Sequence, residues 1–142
     1  MEVRLIEHDS SDYRNMIDLR YRVLLQPIGV AMTFINEDFE KHDHLIGAYE
    51  RETLCGCCIL TVLNDGNMKL RQMAVDLPKQ KKGTGKALLL FAETMCRNQG
   101  YSSLLLNARD VVIPFYEKCG YHIEGRGFTE VGVPHHTMIK HL

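Results

Sequence analysis

The chain has 142 residues, 45% hydrophobic and 25% charged, with a formal net charge of −1. That size and balance fit one soluble globular domain over residues 1–142. They exclude a chain whose overall field draws nucleic acid or membrane, and no apolar run approaches the roughly 20 residues of a membrane helix.

Met1 to Ile6 lacks the long apolar stretch of a signal peptide, so a cytoplasmic location is expected. Five cysteines, an odd number without an export signal, read as free thiols. Cys55, Cys57 and Cys58 sit in an apolar run, where Cys behaves as a small hydrophobe. Cys-x-Cys-Cys is not a zinc spacing and no second Cys pair completes it with His42, His44, His135 or His136, so no metal is expected.

In chain order, Val3 to His8 reads as a strand. Ser10 or Ser11 caps a helix running to about Leu25, with Tyr13, Ile17, Tyr21 and Leu24 near helical spacing, and Pro27-Ile28-Gly29 ends it. Residues 30 to 43 read as irregular and acidic. Leu45 to Glu50, Leu54 to Leu63 and Met68 to Val75 read as three strands. Asn64-Asp65-Gly66-Asn67 is a hairpin signal, because Asp-Gly tolerates the positive φ of tight turns.

After Pro78 comes Gln80-Lys81-Lys82-Gly83-Thr84-Gly85-Lys86, and then a helix over about Thr84 to Gln99 that Gly100 ends. Ser103 to Ala108 is a continuous apolar run, as in a strand covered on both faces. A short helix over about Val111 to Cys119 follows, then closing strands at Tyr121 to Glu124 and Thr137 to Leu142. The order is β-α-β-β-β-α-β-α-β-β. The crossover from residue 68 to residue 108 is expected to be right-handed and to join parallel strands.

The loop at Gln80–Lys86 carries the chemistry. Gly83 and Gly85 permit positive φ and close backbone approach. The helix start presents unpaired N–H groups with a partial positive charge behind them, a ready site for pyrophosphate. Lys79, Lys81, Lys82 and Lys86 add charge with no acid among them. The spacing excludes a Walker loop, because Gln80 and Ala87 stand where that pattern needs Gly and Ser/Thr. It also excludes a dinucleotide fingerprint, because Leu88 stands at the third Gly. A phosphorylated cofactor is expected here. The competing reading is a basic turn that merely starts a helix.

Met73-Ala74-Val75, the step of five to Gln80, Q-x-x-G-x-G at Gln80–Gly85, and Phe115-Tyr116-Glu117-Lys118-Cys119-Gly120-Tyr121 together resemble the GNAT superfamily of N-acetyltransferases. Leu19–Leu24, Arg71–Val75, Leu106–Arg109 and Glu130–His135 resemble its small bacterial members. The resemblance implies an α/β (α+β) acyl-CoA N-acyltransferase fold. Its sheet would be mixed and mostly antiparallel, with six to seven strands, one central parallel pair and three to four flanking helices.

The resemblance also implies the site. Gln80, Lys81, Lys82, Gly83, Thr84, Gly85 and Lys86 would hold the pyrophosphate of acetyl-coenzyme A. Met73, Ala74 and Val75 would pair with its pantetheine arm, and one of their N–H groups would polarise the thioester carbonyl. Tyr116 would protonate the leaving thiolate, which suits a phenol whose ordinary pKa is about 10. Asn107 would contact the arm. Arg109 stands where many relatives have Asn, and could bind phosphate or carbonyl groups there.

Each role has a plainer rival. Tyr116 could be a packing aromatic, and Lys81 and Lys82 solvated charge. Of the acidic run Glu37, Asp38, Glu40 and Asp43, Glu37 and Glu40 are the candidates for the amine side of the cleft, against a solvated loop. His135, His136 and Cys119 are read as structural first. The reaction implied is acetyl transfer from acetyl-coenzyme A to the primary amine of a small molecule or peptide, by direct attack in a ternary complex. The rival from another class is a non-catalytic acyl-coenzyme A sensor. No nucleic-acid or membrane partner is expected, and a homodimer is one arrangement frequent in that superfamily.

Overall fold

A computed structural model describes residues 1–63 and 65–142. The strands are β1 (Glu2–Ile6), β2 (His44–Glu50), β3 (Thr53–Val62), β4 (Met68–Val75), β5 (Ser103–Arg109), β6 (His122–Ile123), β7 (Phe128–Glu130) and β8 (Val133–His141). The α-helices are α1 (Ser11–Arg20), α2 (Glu37–Glu40), α3 (Thr84–Asn98) and α4 (Ile113–Lys118). One eight-stranded sheet runs β1-β2-β3-β4-β5-β8-β6, with β7 paired to β8. Among the described residues β4 and β5 are the one parallel pair, and the other strand pairings are antiparallel.

Both faces of the sheet are covered. Leu88, Leu89, Ala92 and Cys96 of α3 pack with Tyr116 of α4 on Ile46, Leu60, Leu70, Leu104, Leu106 and Met138. Tyr13, Met16, Ile17 and Leu19 of α1 pack on Ile6, Leu45, Cys57, Ile59 and Ala74 across the other face. Cys55, Cys57, Cys58 and Cys96 are buried free thiols, and Cys119 is half-buried. Gly56 is what lets α3 approach β3, since a Cβ there would lie 2.9 Å from Thr84 Cγ2.

The element order follows the expectation, with one more strand than the six to seven expected. The addition is β7. Val131 (φ 48) and Gly132 (φ 75) form a two-residue turn in the left-handed region between Glu130 and Val133. Val is not a residue that signals such a turn. The first helix is not regular to Leu25. Ser10 Oγ caps it at Tyr13 N–H (3.2 Å), but from Tyr21 to Leu25 it widens into a π turn, in which Gln26 N–H reaches back to the Tyr21 carbonyl. The Leu24 carbonyl accepts from Arg109 Nη2 of β5 instead (2.9 Å). The stretch read as irregular contains a 3-10 turn at Met32–Phe34 and α2, capped by Asn36 at Phe39 N–H. The expected hairpin includes Asn64, which lies outside the described residues; Leu63 N–H donates to the Asn67 carbonyl across it (2.9 Å).

Among the described residues, no helix is long and apolar enough to cross a membrane.

One buried ion pair ties α1 to α2. Arg20 and Glu40 are 1% and 2% exposed and meet through two bonds of 2.8 and 2.7 Å. Tyr13 donates a third, 2.7 Å, to Glu40. Burial opposes the Glu40 charge, but these donors outweigh it and hold the carboxyl below its ordinary range. A carboxyl lowered in the folded state stabilises above its unfolded value of about 4.3, and that stabilisation is lost as pH falls through the folded value. Glu40→Ala is therefore expected to cost about 3–5 kcal/mol in urea unfolding at neutral pH, because Arg20 stays buried and unpaired. Replacing both partners by Met and Leu should recover most of the loss.

Candidate active site

The site begins with a defect in the sheet. Cys57 pairs with Ala74 and Ile59 with Arg71, so Gln72 and Met73 of β4 face the single residue Cys58 of β3. Gln72 absorbs the bulge at φ 54. Beside it, β4 pairs with β5 only through Met68, Lys69 and Leu70, opposite Leu104, Leu105 and Leu106. Beyond that point the strands part. The β5-facing backbone edge of β4 from the bulge onward is left without a strand partner, at the end of the strand that leads to the Gly loop.

Met73, Gly85, Phe115 and Tyr116 converge at this notch. A Cβ on Gly85 would lie 3.3 Å from Phe115 Cζ and 3.6 Å from Met73 Sδ. The Tyr116 hydroxyl lies 3.9 Å from Met73 Sδ, with no stronger acceptor among the described residues. The ring packs edge-on to Phe115 and Tyr121. Burial pushes the Tyr116 phenol well above its ordinary pKa, so it keeps its proton. Its backing is polar and buried: Tyr121 Oη donates to Glu93 (2.8 Å), while Lys140 donates to Glu93 (3.1 Å) and to the Cys119 carbonyl just past α4 (2.9 Å).

The loop before α3 is held open. Asp76 caps Leu77 N–H, Gln80 Nε2 donates to the Val75 carbonyl (2.9 Å), and Thr84 Oγ1 reaches the Lys79 carbonyl (3.4 Å). Lys81 (φ 63) and Gly83 (φ 84) take left-handed conformations. Gly83 occupies the N-cap with no side-chain cap, and Ala87 makes the first helical bond to its carbonyl (3.0 Å). The N–H groups of the first turn are thus left for an anion. Lys81, Lys82 and Lys86 are exposed around them, whereas Lys79 is turned away into an ion pair with Glu50.

On the α1 side of the bulge lies a cavity of about 240 Å³, lined by Glu40, Asp43, Arg71 and Gln72 with Phe34 and Phe39.

The family model of the acetyltransferase (GNAT) domain matches residues 29–142. The chain belongs to the GNAT acetyltransferase family. It is 32% identical over 137 residues to YjcF, an uncharacterised N-acetyltransferase of Bacillus subtilis, covering 96% of this chain and 97% of that protein. Its fold is similar to a Lactobacillus plantarum protein described as an N-acetyltransferase, with TM-score 0.86, 20% identity and coverage of 100% and 99%. It is also similar to a Bacillus subtilis acetyltransferase solved in complex with coenzyme A, with TM-score 0.77, 20% identity and coverage of 99% and 98%.

In this acetyltransferase, the expected residues divide between two places. Met73, Val75, Gln80 to Lys86 and Tyr116 gather at the notch, while Ala74 is buried against α1. Asn107 and Arg109, on the β5 side of the opening, are engaged within the protein. Asn107 accepts from Thr137 (3.0 Å) and donates to Glu130 (3.4 Å), and Arg109 holds the Leu24 carbonyl. Glu37 is ion-paired with Arg14 on the surface, and Glu40 is locked to Arg20. His136 bonds Asp110 (2.7 Å) and His135 stacks on Phe128. Of the acidic run, the cavity takes Asp43 as well as Glu40, and it adds Arg71 and Gln72, whose segment carries the family resemblance but no sign of an acceptor role. The bulge that groups them has no glycine to announce it.

Since the Tyr116 hydroxyl has a thioether as its one hydrogen-bond acceptor among the described residues, Tyr116→Phe is expected to shift the unfolding free energy by less than about 1 kcal/mol. Glu93→Ala strands Lys140 and Tyr121 and should cost about 3 kcal/mol or more. Paired urea titrations measure both.

Proposed function

We propose that this N-acetyltransferase binds acetyl-coenzyme A along the notch and passes the acetyl group to a primary amine entering from the α1 side. The observation that carries the reading is the parting of β4 from β5 beside the Gly83 loop. It offers an unpaired strand edge for the amides of the pantetheine arm and an uncapped helix start for the pyrophosphate. Met73 and Val75 would pair the arm, and an N–H of this segment would polarise the thioester carbonyl. Lys81, Lys82 and Lys86 would surround the phosphates. Asn107 and Arg109 of β5, which faces the parted edge, would contact the arm from the other side while their present partners fix β5 and the π turn.

The neutral amine nitrogen attacks the thioester carbonyl carbon and the C–N bond forms. The C–S bond breaks and its electron pair goes to sulfur. Tyr116 gives its proton to that thiolate and is re-protonated at the expense of the proton released from nitrogen. The main gain is orientation of the two substrates, with proton delivery adding about 10²- to 10⁴-fold.

Thermal shift with acetyl-coenzyme A, coenzyme A and ATP tests binding. A ligand at 100 times its dissociation constant stabilises by about 2.7 kcal/mol. Both coenzyme A species should shift the wild type, ATP should not, and Gly83→Glu should abolish the shift. Tyr116→Phe should keep the shift while turnover of an accepted amine falls about 10²- to 10⁴-fold. Unchanged turnover in Tyr116→Phe would remove the acid role from this residue.

A further inference from the structure

The cavity beside the bulge carries an inference about the acceptor, and it rests on the acetyl-transfer reading above. On a regular strand Arg71 and Gln72 would point to opposite faces. Here both line the α1-side cavity, whereas Met73, the next residue, lies on the other face against Tyr116. The bulge therefore sets two donor side chains next to each other, one residue from the segment proposed to receive the thioester.

The charges in this cavity are unequally committed. Arg20 and Glu40 satisfy each other through two bonds and leave little for a ligand. Arg71 is held loosely: Nη1 alone is engaged, at 3.4 Å to Asp43 and 3.3 Å to Thr61 Oγ1, both long for hydrogen bonds. Its Nε and Nη2 meet no acceptor among the described residues. Gln72 Oε1 takes Arg20 Nε at 3.4 Å, which leaves its amide donors unengaged among the described residues. Asp43 is 8% exposed, with the partly exposed Arg71 as its ion-pair partner. The cavity thus presents an open guanidinium edge, an adjacent amide donor and one buried carboxylate. Phe34, Ile35 and Phe39 form the apolar wall, with Phe34 52% and Phe39 75% exposed.

We propose that the cavity binds the acceptor as a small amino acid with an apolar or aromatic side chain. Its carboxylate lies on the Arg71 edge and the Gln72 amide, its ammonium toward Asp43, and its side chain against Phe34, Ile35 and Phe39. A guanidinium edge matches a carboxylate in two parallel bonds. The volume of about 240 Å³ lies below the ~300–1,000 Å³ of drug-sized ligands, so a small acceptor fits. Arg20 and Arg71 balance Glu40 and Asp43, so the lining has no net charge to attract a polyamine or another polycation. The ammonium loses a proton to Asp43 or solvent, and the freed lone pair makes the attack described above. The products are the N-acetyl amino acid and coenzyme A.

Thiol release from acetyl-coenzyme A tests this with the apolar and aromatic amino acids, each beside its decarboxylated amine, for instance phenylalanine with phenethylamine, and with spermidine. For at least one pair, kcat/KM should favour the amino acid by about tenfold or more, with spermidine poor. Arg71→Ala should cut kcat/KM for that amino acid by about 10- to 100-fold, mainly through KM, and leave its decarboxylated amine within about threefold. Arg71→Lys should recover only part, since an ammonium cannot reproduce the two parallel bonds. An unchanged coenzyme A thermal shift in both variants shows that fold and donor site are intact. Equal use of both members of every pair, or equal loss for both in Arg71→Ala, overturns the assignment while leaving acetyl transfer standing. No coenzyme A shift and no thiol release with any amine overturns the acetyl-transfer reading and the acceptor with it.

Discussion

The bulge at Gln72 is the constraint on which the rest of the site depends. One extra residue in β4 keeps the strand paired to β3 while it turns away from β5. Backbone groups in a sheet interior are nearly always paired, so an edge that opens in the middle of a sheet needs a partner from outside. Everything assigned to the notch follows from that opening. Met73 faces Tyr116 across it, the Gly83 loop and the start of α3 stand at its far end, and the cavity with Arg71 lies on its other side.

Holding such a notch open requires rigid walls, and the molecule supplies them with buried charge. On one face Arg20, Glu40 and Tyr13 lock α1 to α2. On the other, Glu93 takes Lys140 and Tyr121, and Lys140 also holds the Cys119 carbonyl past α4. Buried pairs of this kind contribute little net stability compared with apolar packing, but losing one partner is severe. They act here as fixed positions. The first sets the wall of the cavity beside the bulge and the second backs the aromatic cluster that carries Tyr116.

The two faces of β4 divide the chemistry. On the α3 and α4 face the Tyr116 phenol, which burial keeps protonated, meets a thioether and aromatic rings, with the charges of Glu93 and Lys140 set behind it; that suits a proton donor beside a departing sulfur. On the α1 face the cavity beside the bulge holds two cations and two carboxylates, a balance that suits an amine carrying its own counter-charge. The bulge serves both by reversing the side-chain alternation between Arg71 and Met73.

The sequence by itself determined the order of elements apart from α2 and β7, the helix start at Gly83, the left-handed cap at Gly100 and the family. Those features are local: glycine at a positive φ, an apolar period, and lysines gathered along a few residues all act over one or two turns of chain. The gathering of Tyr116 and Met73 came only through the resemblance, since they are far apart in the chain. Tertiary structure alone decided which charges were already spent. Glu40 and Lys79 read as available in a linear chain, yet each is consumed by a residue more than a dozen positions away. It also decided which residues share a face. Strand alternation predicts opposite sides for Arg71 and Gln72, and only the two-against-one pairing with Cys58 brings them together, because register belongs to the partner strand as much as to the strand itself.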